Sequence, residues 1–271
     1  MPRTLSRIAI FSVAAAWVAG AGSLAPAQTS GPPVTTAPCL SPYKHKPVPA
    51  AVLKAIVQSH GRWLEQRYDT AHHRADLCQA ELRQAALNDA NLERANLEGA
   101  NLQQAGLHRS ILSQTRLAGA DLTKAGLGES NISGADLRKA RLSQANLFRA
   151  IGDEAALFDA VLTGARLREA TFERAHFEGA DLTAADLTDA SFVDGYFYGA
   201  ILNRANLSGA DFLEADLRRT KLTKANLNNA NLQGALLDGA QLNGARLTDA
   251  DHRPPQAAPS ECLPSTQCKT V

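Results

Sequence analysis

The chain has no G-x-S-x-G motif and no phosphate-binding loop set between a strand and a helix, so it lacks the sequence marks of a serine hydrolase or a nucleotide enzyme. Its seven histidines are scattered. His72 and His73 are adjacent and point apart in an extended chain, while His108, His176 and His252 fall on different faces or levels, which leaves no zinc-ligand spacing. Net charge is low, at +1 over 271 residues, and gives no cause to expect nucleic-acid binding. Beyond residue 21 no apolar run is long enough to cross a bilayer. With no cleft-forming pattern to exclude water or shift a pKa, the chain is expected to be no enzyme and to carry no cofactor.

What the chain does have is a repeat. From Ala75 to Ala250 a small residue stands at every multiple of five, with a large apolar residue two places further on, as in ANLERANLEGANLQQA from Ala90. The apolar series runs from Leu77 to Leu247 through 35 pentads without an insertion, and only Gly152 fails to supply a side chain. The centres are otherwise Leu, with Ile132 and with Phe172, Phe177, Phe192, Phe197 and Phe212.

A period of five suits neither common element. A helix sweeps such residues around every side, and a strand alternates them between two faces. The chain must therefore turn once per pentad, and if each pentad is one side of a square coil, residues twenty apart lie one above another. Leu and Ala then point inward, and the charged remainder points outward. The residue two after the centre takes the third place of a type II turn, which needs positive φ, and ten glycines from Gly99 to Gly244 occupy that place. Phe172, Phe192 and Phe212 should form one interior column and Phe177 and Phe197 the next, filling the core or lining a site for an apolar ligand. At Gly152 a bulge is expected to turn Ile151 inward and bend the coil.

ADLRKARLSQANL from Ala135 and ANLNNANLQGA from Ala225 resemble the pentapeptide-repeat motif A(D/N)Lxx. The resemblance implies an all-β fold, a right-handed quadrilateral β-helix (solenoid) with an N-terminal capping helix. It implies no catalytic residues. Members serve as scaffolds, effector modules or DNA mimics.

Residues 1–27, with Arg3 and Arg7, an apolar run from Ile8 to Ala21 and small residues at Ala25 and Ala27, are expected to be a cleaved signal peptide. The run is short for the alternative, a membrane anchor. No cysteine stands at the cleavage point, which argues against a lipoprotein. Export to a bacterial periplasm or beyond follows, with no membrane span after cleavage. Residues 28–48 are expected to be a flexible spacer and 49–74 a helical cap, amphipathic from Val52 to Leu64, with a kink or break at Gly61 and His60 and Trp63 as plug residues. Residues 75–251 are the β-helix and 252–271 a flexible tail. Four cysteines in an exported chain favour disulfides, and of three connectivities Cys39–Cys78 with Cys262–Cys268 is preferred.

Phe148, Phe158, Val161, Val193, Tyr196, Tyr198, Ile201 and Leu213 occupy outward positions and form a candidate partner surface, unless a covering segment such as the tail lies over them. Over 75–251 there are 24 acidic and 18 basic residues, with nine acidic against two basic between Thr171 and Asp216, then Arg218, Arg219, Lys221 and Lys224. The expected function is a rigid, non-catalytic binding or scaffold surface for a protein or envelope polymer, with a homodimer open. A purely structural spacer is the first alternative, and a DNA-mimic inhibitor the second, opposed by the interspersed cations and the leader.

Overall fold

A computed structural model of the chain describes residues 39–66 and 73–251. The chain divides into Met1–Thr36, which lies outside the described residues together with the expected leader, and Ala37–Val271, which holds the repeat. In the repeat each bridge joins a residue to the one twenty further on, always in parallel, from Asp76↔Asn96 to Asn231↔Asp251 without a slip. Twenty residues are four pentads, so each circuit has four sides. The fold is a right-handed quadrilateral β-helix. Its first side holds the pentads centred on Leu77, Leu97 and so on to Leu237, its second those from Leu82, its third those from Leu87 and its fourth those from Leu92.

Backbone donors account for the motif. In one pentad, Leu92 N–H donates to the Ile111 carbonyl at 2.7 Å, Arg94 to Ser113 at 2.9 Å, Ala95 back to Leu92 at 2.9 Å and Asn96 to Ala75 at 2.9 Å. The fifth donor, on the residue after the centre, reaches no carbonyl. It donates instead to the side chain before the centre: Glu93 N–H to Asn91 Oδ1 at 3.1 Å, Thr123 to Asp121 at 3.0 Å, Ser133 to Asn131 at 2.9 Å and Thr183 to Asp181 at 2.9 Å. Where that place holds Gly106, Thr171, Lys221 or Arg246, a side chain one coil below substitutes. Asn88, Asp153, Asn203 and Asn228 accept from the N–H groups of His108, Glu173, Thr223 and Thr248 at 3.0, 3.0, 3.1 and 3.1 Å. The Asp or Asn of the repeat is thus an acceptor for a donor that would cost about 1–3 kcal/mol if buried unpaired.

At the corners, the residue two after the centre has positive φ whether or not it is glycine, +64° at Gly99 and +54° at Arg149. All ten glycines expected there lie there, between +63° and +74°.

Inside, the Leu and Ala series is almost fully buried from Leu77 to Leu232. Where a hydroxyl replaces Ala the oxygen is satisfied, as at Ser110, Ser130 and Thr220, which each donate to a carbonyl at 2.7 Å. The five phenylalanines fill the core. Rings of Phe177 and Phe197 stack at 4.7 Å, those of Phe192 and Phe212 at 5.1 Å, and Phe172 lies 6.2 Å from Phe192.

The bulge expected at Gly152 is not there. Ile151 bridges Asn131 and Thr171 in unbroken register and points outward, 45% exposed, while Gly152 N–H donates to Thr171 at 2.7 Å. The reason is Phe172, one coil above in the same column. A Cβ on Gly152 would lie 2.2 Å from Phe172 Cε1, so the ring already fills the volume a leucine would take.

At the N-terminal end, residues 39–48, expected to be spacer, are paired with the first coil through bridges Lys44↔Ala80 and Pro47↔Glu81. The bare edge of the first coil supplies their partners. The expected disulfide joins Cys39 to Cys78. Residues 28–38, Cys262–Cys268 and the tail 252–271 lie outside the described residues.

Helix α1 spans Ala50–Glu65 and runs through Gly61 without a break. A single glycine costs a helix only about 1 kcal/mol, and His60 beside it is anchored on both ring nitrogens. Ala75 N–H donates to His60 Nδ1 at 3.1 Å, and Nε2–H donates to the Glu93 carbonyl at 2.9 Å. The ring is fully buried and stacks on Trp63 at 5.4 Å, the plug arrangement expected.

Burial holds the His60 pKa below its ordinary 6.5; a like charge on Arg74 adds to this, and the Glu93 carbonyl and carboxylate oppose it. The stability of the cap is therefore full above pH 6.5 and falls as the pH drops below it, because the unfolded chain takes up a proton that the folded ring refuses. Trp63 emission against denaturant should report this slope, and His60→Gln should flatten it. An unchanged slope in that variant would assign it to other groups.

Beside α1 lies a cleft of about 750 Å3 over the first coil, with Leu53, Val57, Leu82 and Leu87 below and Lys54 and Arg83 at its rim. At the other end Leu237 and Leu242 are half-buried and Leu247 is 41% exposed, since among the described residues no further coil lies over them.

Candidate binding face

The register sorts the outward side chains, and the eight apolar residues singled out in sequence do not form one surface. Phe158, Tyr196 and Tyr198 fall on the first side, Val161 and Ile201 on the second, Phe148 alone on the third, and Val193 and Leu213 on the fourth. Proximity in sequence between Val193 and Ile201 takes the chain past two corners.

The first side brings together the densest group. His176, not singled out from the sequence, lies between Phe158 and Tyr196, with ring centroids 4.9 and 4.6 Å apart and planes within 21° and 10°. Rings in successive coils are held at roughly the 4.8 Å strand spacing, which is a stacking distance. Tyr196 is 41% exposed. His176 Nδ1 lies 3.0 Å from Glu178 Oε1, and the other carboxylate oxygen is buried without a hydrogen-bond partner. Tyr198, one coil above Glu178, carries the guanidinium groups of Arg218 and Arg219 at 5.9 and 5.6 Å from its ring.

Arg218 in turn grips Asp216 with two hydrogen bonds, at 2.8 and 2.7 Å. Those bonds hold the Asp216 carboxyl below its usual range and the Arg218 guanidinium above its own. The same pairing of Arg138 with Asp136 closes the lower end. The result is an aromatic strip framed by fixed charges.

Among the described residues no group of three or more His, Cys, Asp or Glu side chains is placed to hold a metal, and no helix is long and apolar enough to cross a membrane.

A family model described as pentapeptide repeat region matches residues 165–242, and one described as pentapeptide repeats (8 copies) matches 73–109, 100–138 and 110–147; together they take in more than half the chain. The chain belongs to the pentapeptide repeat family. Solved pentapeptide repeat proteins similar to it include HetL, involved in heterocyst differentiation regulation in the cyanobacterium Nostoc sp.. HetL is 34% identical over 63% of this chain and 86% of its own, at a TM-score of 0.26. QnrB1, a plasmid-mediated fluoroquinolone resistance protein, is 16% identical over 63% of this chain and 86% of its own, at 0.44. A pentapeptide repeat protein of the Arabidopsis thaliana thylakoid lumen is 30% identical over 31% and 61%, at 0.21. No curated protein matches the chain. Pentapeptide repeat proteins are in general structural or binding proteins rather than enzymes.

The sequence signal for the strip was the residue number taken modulo twenty. That operation places His176 under Tyr196 and separates Phe148 from both.

Proposed function

We propose that this pentapeptide repeat protein is an exported, non-catalytic binding rod that receives a protein partner on its first side. The observation that carries the reading is the Phe158–His176–Tyr196 stack, an aromatic strip on the outer surface of the first side. Each ring is fixed by its neighbours, so a partner does not have to order it on binding. Export is supported by the pattern of residues 1–27 and by the Cys39–Cys78 bridge, which suits an oxidising compartment.

The test is photo-crosslinking in the native compartment from a reactive group at Tyr196, with Thr183 on the second side as control. A single species captured from Tyr196, absent from Thr183 and lost with His176→Ala, is the expected result. The dispersal of the other apolar residues over three sides favours a second reading, a structural spacer. Equal or no capture from the two positions would decide for it. Mass analysis of the mature N-terminus should find Gln28, and an intact Met1 would overturn export.

A further inference from the structure

The corner residues follow a charge pattern that changes along the coil. At the corner after the third side, acids and cations alternate from Asp89 through Arg109, Glu129 and Arg149 to Glu169, and at the corner after the fourth Glu154 lies under Arg174; they pair within the chain, Arg109 with Asp89 at 2.7 Å, Arg149 with Glu169 at 2.7 Å and Arg174 with Glu154 at 3.3 Å. Elsewhere like charges stand one above the other. Arg204 lies under Lys224 at the corner after the second side, and Asp194 lies under Glu214 at the corner after the fourth. Like charges one coil apart repel. None of these four makes an ion pair among the described residues.

The flanks reinforce the separation. From Ile201 to Gly244 the outward and corner positions of the second side hold Arg204, Lys221 and Lys224 and no acid. From Ser191 to Gly234 those of the fourth side hold Asp194, Asp211 and Glu214 and no cation. In a four-sided coil the second and fourth sides face away from each other, and here they carry three charges each, of opposite sign, over the same coils. Asp211 accepts hydrogen bonds from Leu213 N–H and the Asn231 amide, but among the described residues none of the six is paired with an opposite charge within one molecule, and two copies bring such pairs together.

We propose that these rods associate side by side, the second side of one copy lying on the fourth side of the next. Opposite sides run in opposite directions, so Lys221 faces the Asp194 and Glu214 corner, and the Arg204 and Lys224 corner faces Asp211. The coil spacing is identical in both copies, so the rows stay in register. Ile201 meets Val193 and Leu213 between the charged rows. The contact is heterologous and leaves a free face at each edge, which gives open rows rather than closed dimers.

Each side is about 10 Å wide and about 40 Å long, so the contact buries roughly 800 Å2 in all, short of the ~1,200 Å2 of a stable interface. The association is therefore weak, concentration-dependent and sensitive to salt. This contact uses other sides than the aromatic strip, and it stands or falls independently of the proposed partner.

Sedimentation velocity of the full chain over a concentration series tests it. In low salt the wild type should form a ladder of species as protein approaches about 1 mM, and association should weaken at least tenfold at about 1 M salt, where the screening length is roughly 3 Å. Asp194→Lys with Glu214→Lys, and separately Arg204→Glu with Lys224→Glu, should each remain monomeric with the thermal midpoint kept. Mixed one to one, the two variants should associate again, because one is cationic and the other acidic on both sides. A wild type that stays monomeric in low salt, a reversal that leaves association intact, or a mixture that does not associate would overturn the proposal. So would binding of inorganic polyphosphate to the Arg204 corner of a chain that does not self-associate, which would assign that corner to a foreign polyanion.

Discussion

Gly152→Leu, the change that completes the repeat on paper, is expected to destabilise the protein by about 3 kcal/mol, the upper end of what overpacking a core costs. The new Cβ alone would stand 2.2 Å from Phe172 Cε1 and 2.5 Å from Cδ1, both in a ring that is fully buried and hemmed in by Phe177 and Phe192. The ring has nowhere to go. Phe172→Leu alone should also cost stability, since it leaves Gly152 facing a void that the surrounding coil closes only in part. The double variant restores the Leu-over-Leu stacking of the lower coils, and most of the loss should be recovered. A coupling of about 2 kcal/mol between the two sites is expected from denaturant midpoints of the four proteins. Losses that simply add would mean that Gly152 is permitted for some reason other than the ring above it.

That pair also marks the limit of what the sequence makes legible. The five-residue period, the inward Leu and Ala series and the turn glycines are local properties, and the side chains that betray them lie within a few residues of one another. The reason for Gly152 lies twenty residues away, in Phe172. A missing side chain suggests a defect until the column it belongs to is examined, and Gly152 plus twenty is an oversized residue. The preference for Asp or Asn before each centre is equally plain in sequence, but its cause is an accounting of backbone donors that requires the bonds between coils to be known. The departures at Gly106, Thr171, Lys221 and Arg246 would then have pointed to Asn88, Asp153, Asn203 and Asn228.

The aromatic strip was legible only in part. Outward position alone marks Phe158, Tyr196 and Tyr198, but it marks equally Val193, Leu213, Val161, Ile201 and Phe148, which the corners carry to other sides. A lone histidine in a sequence points first to metal ligation, and only the register shows His176 as a ring of the right thickness to fill a stack. The cap held a different surprise. A segment rich in Pro, Thr and Ser gives no periodicity of its own, and residues 39–48 are ordered by the edge they lie against.

Removing the bridge between Cys39 and Cys78 should have the largest effect of any change at the N-terminal end. The bridge closes a loop with a sequence separation of 39 residues, for which the chain-entropy estimate is about 4 kcal/mol at room temperature. That loop contains the paired segment 39–48 and all of α1, so the loss falls on the cap and the first coil. A solenoid is stabilised by contacts between neighbouring coils, and the phenylalanine-filled coils lie well beyond the reach of the cap. In Cys39→Ser with Cys78→Ser, Trp63 emission and amide exchange in the first coil should therefore report melting before the Phe172–Phe212 region opens. The two His60 hydrogen bonds still tie α1 to the coils, at 3.1 and 2.9 Å. The early transition should move further down as the pH falls below 6.5, because burial keeps that ring neutral while the melted cap takes up a proton. A serine pair that unfolds in one transition, at the midpoint of the bridged protein, would mean that the cap contributes nothing to holding the first coil.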